Sequence, residues 1–222
     1  GVRAGFRRLA QARAPVLFLD LDGTLAPLVA QAENARVPAA TRRTLGRLRL
    51  TGARVVLVSG RSIAGVRHVA RLETDAILGD HGALIWRGRG PEPWLPADRV
   101  ELARVVRRVA PELERLPGVR LQHKDRSLAI HLRLTRSSRK AVIAKIVRLL
   151  KRTGLRVLRG RHVIDAQLPG VNKGSAVKRW LETNEAADAV IYAGDDTTDE
   201  DAFRALRGHG MTIAVGPRAR GA

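Results

Sequence analysis

Apolar positions in the first third of the chain fall alternately into short unbroken blocks and into helical stripes. Val16-Leu17-Phe18-Leu19 is one such block, and it runs straight into Asp20, Asp22, Gly23 and Thr24. A short apolar run that ends in a polar loop predicts a buried parallel strand. Residues 26–38 read as a loop. Pro38 suits a first helical turn, and the helix it predicts carries Leu45, Leu48 and Leu50 as its stripe before Thr51-Gly52 stops it. Ala53 to Val58 predicts a second buried strand, with Ser59-Gly60-Arg61-Ser62 as its terminal loop. Ser62 then caps a helix that runs to Arg71. Ala76-Ile77-Leu78 predicts a third strand, which ends in Gly79-Asp80-His81-Gly82. Strand, helix, strand, helix, strand implies a parallel sheet with right-handed crossovers.

The rhythm then changes. Leu84-Ile85-Trp86 predicts a hairpin strand, and the Gly- and Pro-rich stretch 87–96 marks a boundary. A helix is predicted over 97–116, with a kink or break at Pro111. Strands are predicted over 119–124 and 128–134. In the second, Leu128, Ile130, Leu132 and Leu134 fall on one face, and Ala129, His131 and Arg133 on the other. A helix over 138–153 and strands over 155–158 and 162–168 repeat the order helix, strand, strand. Asn172 to Ser175 opens a further helix, Ala189 to Ala193 predicts a buried strand, and an acidic loop, a short helix and a strand over 212–215 follow. Residues 2–13 predict a short basic amphipathic helix ahead of the first strand. The fold class expected is α/β: a Rossmann-like parallel-sheet core, residues 1–88 and 169–222, with an inserted α+β unit over 89–168.

Composition narrows the partners. The chain has 222 residues, 45% hydrophobic but only 3% aromatic, so its core must be built from Leu, Val, Ile and Ala. Cysteine is absent, which excludes disulfides and thiol catalysis and is compatible with the expected cytoplasmic location. No apolar run approaches transmembrane length, so no membrane partner is expected. The start has no secretory apolar region, and it opens on Gly1 rather than Met, as expected of a trimmed chain. The net charge of +20 is the electrostatic footprint of nucleic-acid binding. Lysine, however, occurs only at Lys124, Lys140, Lys145, Lys151, Lys173 and Lys178, and the arginines are dispersed. Few aromatics are available to stack on bases. Compositional bias and attraction of small anionic substrates therefore account for the charge better than a nucleic-acid partner does. The sequence carries no signal of oligomeric state.

The ends of the predicted strands hold the chemistry. Asp20 and Asp22 follow the first strand, Ser59 and Gly60 the second, and Asp195 and Asp199 the strand at 189–193, while Lys173 opens a helix between them. Strand ends of one parallel sheet converge on a crevice. Two carboxylates buried together need a cation, a donor or a shared proton, and Mg²⁺ suits oxygen ligands of this kind. Taken singly, Ser59-Gly60 reads as a turn, Lys173 as a solvated helix start, and the acids at 195–201 as a helix N-terminus, where carboxylates are favourable. Their joint occurrence supplies what phosphoryl transfer needs: a nucleophile, a divalent cation, donors for phosphate oxygens and a balancing positive charge.

Asp20-x-Asp22-Gly23-Thr24, Ser59-Gly60-Arg61, Lys173 and Gly194-Asp195-Asp196-x-x-Asp199 resemble the four motifs of the haloacid-dehalogenase-type phosphatases. The insert resembles that superfamily's C2-type cap. His81-Gly82, Lys124 with Ser127, His131 and Arg133, Asn172-Lys173-Gly174 and Tyr192-x-Gly194-Asp195-Asp196 narrow the resemblance to the trehalose-6-phosphate phosphatase family. The resemblance implies that Asp20 is the nucleophile, forming an aspartyl-phosphate, and that Asp22 is the general acid and then the base. It further implies that Asp20, the backbone carbonyl of Asp22 and Asp195 hold Mg²⁺ with Asp199 in support. Ser59, Gly60 and Lys173 would bind phosphate, and Arg61, Lys124, His131, Arg133 and Asp165 would bind the sugar. The partner implied is a small-molecule sugar phosphate, held under a closing cap. The chain departs from the family's pattern at Gln122, where a Glu is usual, and at Asp165-Ala166-Gln167-Leu168, where Glu-x-Arg-Pro is usual. A neutral amide still bonds a hydroxyl, without the strength of a charged partner. Those positions favour, as the alternative, another sugar or polyol phosphate. The chain also ends soon after Val215, where the family continues, as expected of a shortened relative or a lost C-terminus.

Overall fold

The computed structural model describes residues 5, 7, 10–95, 99–123, 127–135, 139–159, 162–184 and 187–216. The apolar block after Ala14 forms β1 (Pro15–Asp20), in which every residue is buried. It is paired in parallel on both edges, with β2 (Arg54–Val58) on one side and β10 (Ala189–Gly194) on the other. A strand covered on both edges and both faces has no place for polar side chains until it ends. β3 (Ala76–Gly79) extends the sheet beyond β2, and β11 (Met211–Ala214) extends it beyond β10, both in parallel. Two antiparallel strands, β4 (Leu84–Trp86) and β5 (Glu92–Pro93), complete the order β11-β10-β1-β2-β3-β4-β5. The chain builds outward from β1 to β5 and then crosses to β10, so the strand order reverses at β1. Ligand crevices in open α/β sheets form at that reversal, outside the carboxyl ends of the strands.

The helices of this unit start where local chemistry dictates. α1 (Ala39–Leu50) begins after Pro38, and α2 (Ile63–Ala70) begins where the Ser62 hydroxyl accepts from Gly65 N at 3.2 Å. α5 (Lys173–Glu182) is capped by Asn172, whose Oδ1 accepts from Ser175 N at 2.9 Å. A short α6 (Glu200–Ala205) follows β10. Trp94, at the end of β5, donates from Nε1 to the Ala176 carbonyl of α5 at 3.0 Å, and its ring lies beneath the guanidinium groups of Arg87 and Arg179. Among the described residues, no helix is long and apolar enough to cross a membrane.

The chain divides into two compact units, one of residues Gly1–Leu95 with Asn172–Ala222, the other of Pro96–Val171. The first division falls later than the expected residue 88 because β5 pairs with β4, and so the Gly- and Pro-rich stretch stays in the first sheet, and the second falls at Val171 rather than residue 168. In the second unit, α3 (Arg99–Glu114) leads to β6 (Arg120–His123) and β7 (Ser127–His131), and α4 (Arg139–Lys151) to β8 (Arg156–Arg159) and β9 (Val163–Gln167). The four strands form one antiparallel sheet in the order β6-β7-β9-β8. α3 runs through Pro111 unbroken. The buried stripe Leu102, Val105, Val106, Val109 and Leu113 continues on both sides of the proline and holds the helix together. β7 stops at His131, short of the expected residue 134, so Arg133 lies beyond the strand and Leu134 is exposed. Half of the expected helix over 2–13, and the turn expected at 125–127 apart from Ser127, lie outside the described residues.

Register at the centre of the first sheet is fixed from below. The Asp188 carboxylate accepts from Arg13 N at 2.7 Å and Ala14 N at 3.0 Å, immediately before the pairing of Pro15 with Ala189. These backbone hydrogen bonds hold the Asp188 carboxyl below its usual value. A depressed carboxyl stabilises the fold above its unfolded value and ceases to do so as pH falls through the folded one. Asp188→Ala should therefore lower the melting temperature near neutral pH, and the gap to wild type should close as pH is lowered into the acid range. Thermal melts across that range check this, and a gap independent of pH would refute the role of the carboxylate.

Candidate active site

β1 ends in Asp20, which is 4% exposed, and α5 begins with Lys173, which is 3% exposed. The Lys173 ammonium donates to Asp20 Oδ1 at 2.6 Å and to Asp199 Oδ1 at 2.7 Å. Asp199 sits ahead of α6 and is fully buried. It also accepts from the Tyr192 hydroxyl at 2.6 Å and, through Oδ2, from Asp196 N at 3.1 Å. Asp20, Asp195 and Asp199 each present a carboxylate oxygen within 4.8 Å of the other two. Gly23 makes the close approach of the first loop to the last possible: its φ is +92°, and a Cβ there would lie 2.1 Å from Asp195 Oδ2.

Three buried carboxylates lie together, and one ammonium bonds two of them. Burial pushes the Asp20 carboxyl up to about 7, against the pull of Lys173 and with the help of Asp199 and Asp195. Burial also opposes the charge of Lys173, but Asp20 and Asp199 outweigh it, and Lys173 is raised above its usual value. The cost of the excess negative charge thus falls on Asp20, which holds its proton more readily than an ordinary carboxyl, while the lysine stays charged. Burial and the neighbouring Asp199 together push the Tyr192 phenol well above its ordinary range. Asp20 Oδ2 is buried and has no hydrogen-bond partner among the described residues. An oxygen-lined pocket with surplus negative charge and an unpartnered carboxylate oxygen is the donor set that a hard divalent cation takes.

Asp22 does not join this cluster. Its carboxylate is gripped by Arg61, which donates from Nε to Oδ2 at 2.5 Å and from Nη2 to Oδ1 at 2.6 Å. The same Nη2 donates to the Ala32 carbonyl at 2.8 Å and so ties the 26–38 loop to the site. Ser59 directly follows β2, 1% exposed, and its hydroxyl accepts from Arg61 N at 3.1 Å. Asp20, Asp22, Ser59, Gly60, Arg61, Lys173, Asp195 and Asp199 thus all lie at the carboxyl ends of strands of one sheet or at the helix start beside them.

The second unit carries the remaining candidates. Cross-strand register puts Gln122 and Asp165 opposite Ala129, and Gln167 opposite Ser127. With His131 two positions on from Ala129, these side chains share one face. His131 Nε2 lies 2.9 Å from Gln122 Oε1. Gln167 is 1% exposed, and neither polar atom of its amide has a partner among the described residues. Arg133 is exposed, and Lys124 lies outside the described residues.

Two features escaped the sequence reading. Tyr192 as a partner of Asp199 was signalled only by a lone hydroxyl in a buried apolar strand, which has to find an acceptor. The Asp80–Gly82 turn at the end of β3 was visible as a polar strand end without a role. Asp80 and His81 are both 8% exposed.

The parallel sheet, its order and the carboxylate cluster define the haloacid-dehalogenase class of fold. Within it, the chain belongs to the trehalose-phosphatase family, whose profile matches residues 18–220. It is 32% identical over 227 residues to an uncharacterized glycosyl hydrolase of Mycobacterium tuberculosis, an alignment covering 96% of this chain and 17% of the relative. It is likewise 32% identical over 243 residues to a trehalose-phosphate phosphatase of Mycobacterium avium, covering 96% of this chain and 62% of the relative. The chain therefore spans less than two thirds of the length of these relatives. Among solved structures, a trehalose-6-phosphate phosphatase related protein superposes with a TM-score of 0.72 at 27% identity, covering 92% of this chain and 87% of that one.

Removing the Tyr192 hydroxyl tests how tightly the cluster is held. Tyr192→Phe deletes one donor to a buried carboxylate and should cost about 1–3 kcal/mol of stability. Urea unfolding measures it, and a variant as stable as wild type would show the bond to be dispensable.

Proposed function

We propose that this chain is a Mg²⁺-dependent phosphatase that hydrolyses trehalose-6-phosphate to trehalose and inorganic phosphate through an aspartyl-phosphate on Asp20. The observation that carries this reading is the buried Asp20 with its unpartnered Oδ2, held by Lys173 beside Asp195 and Asp199. Family membership supports the choice of substrate.

In this reading, Asp20 attacks phosphorus and the bond from phosphorus to the sugar oxygen breaks. Asp22 gives a proton to the departing oxygen. Water then attacks the phosphorus, Asp22 takes up its proton, and the bond from phosphorus to Asp20 breaks to release inorganic phosphate. Asp22 is gripped by Arg61, so the fork must release it before either proton moves. Lys173 offsets charge on the transferring group, and Ser59 and Gly60 hold its oxygens. Asp20 and Asp195, with the backbone carbonyl of Asp22, would hold Mg²⁺, and Asp199 would support the site. The ion supplies the positive charge that lets a carboxylate meet an anionic phosphoryl group. Gln122, His131, Arg133, Asp165 and Lys124 are proposed to read the sugar, and a cytoplasmic setting goes with the cysteine-free composition. The Gln122–His131 contact, in place of a charged pair, favours a second reading in which the substrate is another sugar or polyol phosphate.

Phosphate release with Mg²⁺ and with EDTA, across trehalose-6-phosphate, other sugar and polyol phosphates and an aryl phosphate, tests the function. Mg²⁺-dependent preference for trehalose-6-phosphate is expected. Preference for another ester moves the substrate, and no release from any ester by folded protein refutes the reading. Asp20→Asn should lower turnover by about 10³-fold or more. Gln122→Glu should change the ranking of sugar phosphates while leaving the aryl phosphate rate within about threefold.

Metal binding has a readout independent of turnover. MgCl₂ should raise the melting temperature of wild type but not of Asp195→Asn. The proton on Asp20, whose carboxyl is raised to about 7, competes with the ion. The rise should therefore be larger at about pH 8 than at about pH 6. Equal shifts at both pH values would argue that Asp20 is not a ligand.

A further inference from the structure

The turn Asp80-His81-Gly82 takes left-handed backbone at three successive residues, with φ of 48°, 57° and 95°. Side chains resist that region, and Asp, His and Gly are among the residues that enter it most readily. The left-handed conformation normally occurs at single residues, and strained runs persist only where their surroundings over-determine them. Here the surroundings are two parts of the site. On one side, His81 N donates to the Ser59 carbonyl at 2.9 Å and Asp80 N to the Arg61 carbonyl at 2.8 Å. On the other side the turn meets the start of α5, where a Cβ on Gly82 would lie 2.3 Å from Ala176 Cβ and 3.1 Å from the Asn172 carbonyl oxygen. The turn is therefore wedged between the Ser59–Arg61 loop and the helix that begins with Lys173.

The imidazole of His81 completes the wedge. A Cβ on Gly60 would lie 2.4 Å from His81 Cε1 and 2.6 Å from Nε2, so the ring fills the space that a side chain at residue 60 would need. No real Cβ tolerates such an approach, and the ring is held by a turn that is hydrogen-bonded to the Ser59–Arg61 loop and closely packed against α5. Gly60 is thus glycine because of His81, and the ring in turn limits where the loop can move.

We propose that His81 is a positioning residue, whose ring, held by the left-handed Asp80–Gly82 turn, sets the Ser59–Arg61 loop at a fixed distance from the Lys173 helix so that both meet one phosphoryl group. The role in phosphoryl binding rests on the phosphatase reading above. The interlock itself does not.

The test is a double-mutant cycle between Gly60→Ala and His81→Asn, with asparagine chosen because it tolerates the left-handed backbone while removing the ring. Gly60→Ala alone should lower the melting temperature by roughly 5 °C, as overpacking does. In the His81→Asn background the same substitution should lower it by about 1 °C or less, because the ring is gone. Additive shifts would overturn the interlock. At temperatures well below melting, His81→Asn should weaken the affinity for inorganic phosphate, read by calorimetry, by about tenfold and lower kcat/KM on an aryl phosphate by a similar factor. Phosphate affinity within twofold of wild type would overturn the positioning role even if the melting cycle is non-additive, since a merely structural ring would move stability alone. The melting cycle decides the interlock whether or not wild type hydrolyses any ester. A wild type that neither binds phosphate nor turns over would instead strike the phosphatase reading, so the two failures are distinguishable.

Discussion

One ammonium holds the site together. Lys173 lies between Asp20 at the end of β1 and Asp199 ahead of α6, and all three are buried. An ammonium or a carboxylate taken out of water is costly unless its partners are close and its remaining valences are filled. The surroundings meet most of that demand. Asn172 caps the helix that delivers the lysine, and Tyr192 and the Asp196 amide occupy Asp199. What they leave unmet is on Asp20, the residue with a buried oxygen to spare. Replacing the lysine with an apolar side chain would leave an acidic pocket with no internal counter-charge. The other elements are arranged so that this does not arise: β1, β10 and α5 converge, and each contributes to the cluster from its first or last residues or from the loop just beyond.

Much of this was legible in the sequence, because parallel strands buried on both faces read as unbroken apolar runs. Val16 to Leu19, Val55 to Val58 and Ala189 to Ala193 are all of that kind, and each ends at a polar loop. The polar residues at those ends had nowhere else to go, so their convergence at one edge of the sheet could be read from the sequence. The second unit was harder to read. Its strands have one exposed face and alternate imperfectly. Ser127 and Ala129 are buried on what the pattern would make the polar face, and the strand stops at His131 rather than continuing through Leu134. Pro111 misled for a different reason. Local preference argues for a break, but a buried stripe on both sides of the proline outweighs one lost hydrogen bond.

Side-chain partnerships were the least legible level. Nothing in the spacing says that Asp22 pairs with Arg61, or that the Arg61 fork also reaches Ala32. The sequence reading had Arg61 facing the substrate, whereas it grips a carboxylate of the same site. Similarly, Asp80-His81-Gly82 reads as an ordinary polar turn until the signs of its three φ angles are known. Such pairings depend on tertiary approach between segments far apart in the chain, which periodicity does not carry.

Trp94 has a consequence of a different order. It is the penultimate residue of the first unit before the chain departs, and it is bonded to the Ala176 carbonyl of the helix on which the chain returns. With Arg87 and Arg179 stacked against its ring, it fastens the point of exit to the segment just after the point of re-entry. The long excursion between them is closed off like a loop tied at its neck. A core sealed in this way can keep its own architecture while the inserted sequence drifts, lengthens or is exchanged. In evolutionary terms, the part that carries the acidic cluster and the part between residues 96 and 171 can answer to separate selective pressures.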